Sequence, residues 1–332
     1  MKGRKYLSPS DAMQTFVLGL AFFLGVNLIA GVAIAAVNLT GGDVTAITWV
    51  GVAVSTSSLL VLVAIYCSKK EINFFEATTL NVKPHMGATF LGFLTVTGLI
   101  FALMPLVFAF ITFLTEHGLL TGGSADSIFP ENPDAVTVIF YILVVCALPS
   151  FCEEVLMRGI IAKGFARRGI IFASLISGFV FMLFHMNPAQ TIYQFVLGVV
   201  LAFYMLRGGS VWTAILMHFY NNVLAIIMDL LLSAEIQEKI FVQNWYICVA
   251  AGAVVAAAGI VMFIKLIPNR FDKDYEIKQR QIQLDSLPVR HDLVYEEEKL
   301  TATLPRSGSL EKFLFIVALL ICALMWVAAL FV

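Results

Sequence analysis

Apolar residues along this chain gather in runs of about 20, long enough for a helix to cross the ~30 Å hydrocarbon core of a bilayer. Nine spans are predicted, at 12–37, 45–67, 88–114, 135–166, 169–187, 189–206, 210–232, 244–267 and 313–332. The basic residues alternate with these spans. With the N-terminus inside, the inner segments collect Lys2, Arg4 and Lys5, then Lys69, Lys70 and Lys83, then Lys163, Arg167 and Arg168, then Arg207, Lys265 and the basic residues of 268–312. The outer segments hold only Lys239, while 115–134 carries Glu116, Asp126, Glu131 and Asp134. The expected topology therefore has a cytoplasmic N-terminus, an outer C-terminus and a charged cytoplasmic loop at 268–312. The apolar stretch from Ala12 to Val37 exceeds the 7–15 residues of a signal-peptide core, so it reads as a retained helix despite the small residues Ala33-Ile34-Ala35.

Composition agrees with this pattern. The chain is 60% hydrophobic and 13% charged, against about 45–50% and 25% in soluble domains. The fold class is all-α, a polytopic α-helical membrane protein of about nine transmembrane helices. A four-helix core at 135–232 is expected between the helices of 1–134 and the segment 233–332, which holds helix eight, the loop and helix nine. A net charge of −1 points to no nucleic-acid partner. The five cysteines lie on different spans without Cys-x-x-Cys spacing and read as small apolar residues. Cys152 sits beside two glutamates, but a thiol in lipid-like surroundings is a poor nucleophile.

The chemistry lies where ionisable groups interrupt the apolar core. Charged groups at the bilayer centre cost roughly 2.5–3.5 kcal/mol each by insertion scales, so they are rare and usually functional. Three signatures stand out: Glu153-Glu154-x-x-x-Arg158, Phe181-x-x-x-His185 and His218-x-x-x-Asn222. Helical residues four apart share a face, so Glu154 can pair with Arg158 while Glu153 is turned away from that pair. His218 and Asn222 share a face in the same way. The small residues Ala173, Ser174, Ser177 and Gly178 ahead of His185 allow close helix packing. For the glutamates and His185 to meet in depth, the fourth helix must continue to Arg167, with a break expected near Pro149.

These motifs, in this order and on membrane spans, resemble the CPBP (Abi) family, which includes the type II CAAX prenyl endopeptidases and bacterial bacteriocin-processing and self-immunity proteins. The likeness covers residues 152–230. It implies hydrolysis of a peptide bond in a membrane-embedded or lipidated protein or peptide, at the bilayer. By position, Glu153 would be the general base on water, Glu154 and Arg158 a supporting pair, and His185 the group that places the water. His218 and Asn222 would serve the carbonyl oxygen, and Phe181 would pack and orient. No cofactor is the preferred reading. A zinc alternative, with Glu153, His185 and His218 as ligands, stays open although HExxH spacing is lacking. Two further alternatives are a non-catalytic scaffold or immunity protein of the same fold and an ion- or proton-coupled transporter. A bacterial plasma membrane is the expected location.

Overall fold

The computed structural model describes residues 7–120, 134–270 and 308–330. Lys2, Arg4 and Lys5, most of the acidic 115–134 loop and most of the charged 268–312 loop lie outside the described residues. Among those described there is no strand. The helices are α1 (Pro9–Leu39), α2 (Thr45–Lys69), α3 (Phe74–Thr78), α4 (Met86–Glu116), α5 (Ala135–Arg168), α6 (Ile170–Phe184), α7 (Thr191–Gly208), α8 (Val211–Leu231), α9 (Trp245–Leu266) and α10 (Ser309–Ala328). Short turns of helix at Pro188–Gln190 and Ala234–Glu238 link some of them. The protein is an integral multi-pass membrane protein.

Among the described residues, eight helices, not nine, are long and apolar enough to cross a membrane. The exception is the fifth predicted span. Its helix α6 has 15 residues, about 22 Å at 1.5 Å per residue, well short of ~30 Å. It stops at His185 because the polar and proline-containing sequence His185-Met186-Asn187-Pro188 cannot extend it, and Met186 takes a positive φ of 49°.

Helix α5 departs from expectation in another way. There is no break at Pro149. Asp134 caps the start of the helix by accepting from the Thr137 backbone N–H at 2.8 Å, and the helix then runs to Arg168. The hydrogen-bond register is wider, π-type, at Ile142–Ala147 and again at Val155–Ala162. The first wide stretch ends just before Pro149, whose missing N–H is thereby absorbed at the start of a new α segment, Leu148–Glu154. The six residues Val155 to Ile160 are all buried.

Two devices fix the helices around α5. The N-terminus of α8 lacks a side-chain cap of its own; the segment after α3 supplies partners instead. The Thr79 hydroxyl accepts from Val211 N–H at 3.1 Å, and the Ser210 hydroxyl and Trp212 indole donate to the carbonyls of Val82 and Leu80 at 2.7 and 2.9 Å. Helix α10 is pinned at both ends. Glu311 accepts from the Ser10 hydroxyl at 2.7 Å and from the Gln14 amide, both on α1, while the Trp326 indole donates to the Thr191 hydroxyl at 2.7 Å.

Candidate active site

The site begins with the antiparallel pair α6–α7, packed backbone to backbone. A Cβ at Gly178 would strike the backbone of Val199 and Phe195, and one at Gly198 would strike the backbone of Gly178. That contact brings the Gly198 carbonyl and the Phe181 ring beside α5. Ser177 completes the docking by donating to the Met157 carbonyl at 3.1 Å.

Into this corner α5 projects Arg158, fully buried. Its Nη1 donates to Glu154 Oε1 at 2.6 Å, one helical turn away. Its Nη2 donates to the Gly198 carbonyl at 3.2 Å, and the guanidinium lies 4.3 Å from the centre of the Phe181 ring. The positive charge is thus met by a carboxylate, a carbonyl dipole and a π face. Phe181 also stands edge-on to both imidazoles, at 4.5 Å from His185 and 5.7 Å from His218. It is the hub that keeps guanidinium and imidazoles apart.

Glu154 has a second partner that the spacing did not indicate. His218 Nδ1 lies 2.9 Å from the same oxygen that Arg158 engages, Oε1. The charged cluster is therefore a triad, Arg158–Glu154–His218, bridging α5 and α8. With Nδ1–H donating to the carboxylate, neutral His218 presents an Nε2 lone pair, and only the imidazolium form could donate from Nε2. The expected joint donation by His218 and Asn222 is accordingly narrowed to Asn222 when the imidazole is neutral. His185 is held in a parallel way, its Nδ1 donating to the Phe181 carbonyl at 2.8 Å.

Glu153, next to this triad in sequence, faces elsewhere. It lines a cavity of about 560 Å³ together with His185, His218 and Asn222, and its buried Oε2 has no hydrogen-bond partner among the described residues. The cavity brings four of the seven motif residues to one space; Glu154, Arg158 and Phe181 are not among its lining residues. The remaining walls come from Ile100 and Met104 of α4, Tyr141 and Pro149 of α5, and Gln190, Tyr193 and Gln194 at the start of α7. Asn221 and Asp229 of α8 add further polar groups.

Tyr193 and Asn221 went unmarked in the sequence, although polar residues at 190, 193 and 194 in an apolar span were a visible signal. Tyr193 donates its hydroxyl proton to Asn221 Oδ1, and Asn221 Nδ2 donates to Asn222 Oδ1 at 3.1 Å. Cys152 is buried and does not line the cavity. As for zinc, among the described residues no three His, Cys, Asp or Glu side chains converge as a ligand set. Glu153, His185 and His218 share the cavity without forming one.

Comparison with known families gives one finding. Residues 135–224 match the family model described as type II CAAX prenyl endopeptidase Rce1-like. The matched stretch runs from the start of α5 into α8 and holds all seven motif residues, so it supports the family likeness carried by the three motifs. No curated protein and no solved structure matches the chain.

Proposed function

We propose that this protein is an intramembrane endopeptidase that hydrolyses a peptide bond of a lipidated or membrane-embedded substrate with water activated by Glu153. The observation that carries the reading is the unpartnered buried carboxylate oxygen of Glu153 in a cavity shared with His185, His218 and Asn222. A carboxylate oxygen with no hydrogen-bond partner among the described residues is available to take a proton from water.

In this reading a water sits between Glu153 and His185. The Nε2 of His185 accepts from that water, because its Nδ1–H already donates to Phe181. Glu153 takes the water proton as the oxygen attacks the carbonyl carbon, and later delivers it to the departing amine. The carbonyl oxygen, gaining negative charge, is met by the Asn222 amide. The Arg158–Glu154–His218 triad holds α5 against α8 and keeps the second carboxylate engaged, leaving Glu153 as the base. The mechanism needs no metal, and the N-terminus is placed in the cytoplasm on the distribution of lysine and arginine.

The test uses purified full-length protein and two fluorogenic peptides. One carries an S-farnesyl cysteine four residues from its C-terminus; the other is apolar and unlipidated. Wild-type protein is expected to cleave one of them, with and without chelator. Glu153→Gln is expected to keep its thermal stability and lose turnover. Wild-type turnover in Glu153→Gln would remove the assignment of the base, and chelator-sensitive turnover restored by zinc would replace the metal-free mechanism.

A further inference from the structure

The cavity contains a polar chain that the motifs do not include. It starts at Tyr193 on α7, passes through Asn221 on α8 and ends at Asn222. Its direction is given by the donor and acceptor atoms at each link. The Tyr193 phenol donates to Asn221 Oδ1, so the oxygen end of the Asn221 amide faces α7. The NH₂ end of Asn221 then faces the neighbouring side chain and can only meet the oxygen of Asn222. Asn222 must therefore present its own NH₂ group away from Asn221, and its side chain has no other hydrogen bond among the described residues. It lines the cavity beside Glu153, His185 and His218.

Because an asparagine amide can rotate by half a turn at little steric cost, nothing in its shape decides whether it offers oxygen or NH₂ to a substrate. An oxyanion requires NH₂. His218 offers no donor in its place while neutral, its Nδ1–H being directed at Glu154. We infer that Tyr193 and Asn221 are positioning residues whose hydrogen-bond relay locks the Asn222 amide with its NH₂ group toward the scissile carbonyl. The inference rests on the peptidase reading above and adds two residues to its machinery, neither of which touches the substrate carbonyl.

Tyr193→Phe removes the phenolic donor and keeps the ring. It is expected to lower kcat about tenfold, less than the 10²–10³ of losing the oxyanion donor outright, with KM unchanged. The decisive measurement is epistasis: in an Asn222→Ala background, Tyr193→Phe should have no further effect, because the amide it orients is gone. Asn221→Asp, which turns an acceptor toward Asn222 Oδ1, should lower kcat more than Tyr193→Phe does. An equal loss from Tyr193→Phe in both backgrounds, or a KM effect with kcat intact, would overturn the relay and leave the peptidase standing. A wild-type protein that cleaves neither peptide would instead remove the peptidase reading. The relay is then decided by side-chain amide NMR of ¹⁵N-asparagine-labelled protein: Tyr193→Phe must shift both the Asn221 and Asn222 signals, and a shift confined to Asn221, or absent, overturns it.

Discussion

Two helix interfaces in this protein solve the same packing problem in opposite ways. Where α4 meets α9, the chain removes side chains: a Cβ at Gly98 would collide with the backbone of Gly252 and Ala256, one at Gly252 with that of Gly98 and Ala102, and one at Gly259 with Thr95. The few polar atoms there are closed on one another, as in the 2.7 Å bond between Thr95 and Tyr204, whose ring stacks on Phe263. Where α5 meets α8, the chain inserts charges and bonds them across the gap. Contact of the first kind sets the two backbones directly against each other. The charged interface leaves polar atoms unengaged, Glu153 Oε2 and Glu154 Oε2 among them. The candidate active site lies at the interface that was not closed.

The contrast can be broken most forcefully at Glu154. Glu154→Gln strands the buried guanidinium of Arg158 without its carboxylate, at a cost of about 3–5 kcal/mol, read as a lower thermal midpoint in detergent. Adding Arg158→Met should return much of that loss, since a buried charge pair replaced by apolar groups is often neutral or better; a double variant no more stable than the single one would show that the triad holds the helices together through more than charge. Next in size is Asn222→Ala, expected to reduce kcat by about 10²–10³ with an unchanged thermal midpoint, because its side chain reaches into the cavity rather than across an interface. Gly252→Val should do the reverse, costing about 1–3 kcal/mol by overpacking while the kcat of the folded fraction stays near wild type. A large kcat loss in Gly252→Val would mean that the two interfaces are coupled. The smallest effect is expected at α10, where Trp326→Phe removes one indole hydrogen bond to Thr191, about 0.5–1.5 kcal/mol.

The parts of this architecture that depend on local spacing were legible in the sequence. Glu154 and Arg158 are four apart and meet; Glu153 is one residue off and faces away. The helix of the two glutamates continues past them to Arg168, as the apolar run after Val155 indicated. What could not be read is what depends on other helices. His218 reaches Glu154 across 64 residues of sequence, and no spacing within α8 announces it. The wider turns at Ile142–Ala147 and Val155–Ala162 lie in stretches where nearly every residue is apolar, so one helical register looks like another. Tyr193 and Asn221 were missed for a different reason: the polar residues at 190, 193 and 194 were visible, but nothing in the spacing pairs Tyr193 with Asn221 on another helix.

Helix α6 has a consequence for the surrounding lipid. Its outer face shows Ile171, Phe172, Leu175 and Phe179 to the bilayer, over a length about 8 Å less than a typical hydrocarbon core. Acyl chains beside such a helix must compress, or polar headgroups and water must dip toward its C-terminal end. That end is His185. A bilayer thinned in this way would be thinnest next to the residue proposed to hold the attacking water, and the thickness of the host bilayer would then be a variable of the proposed reaction.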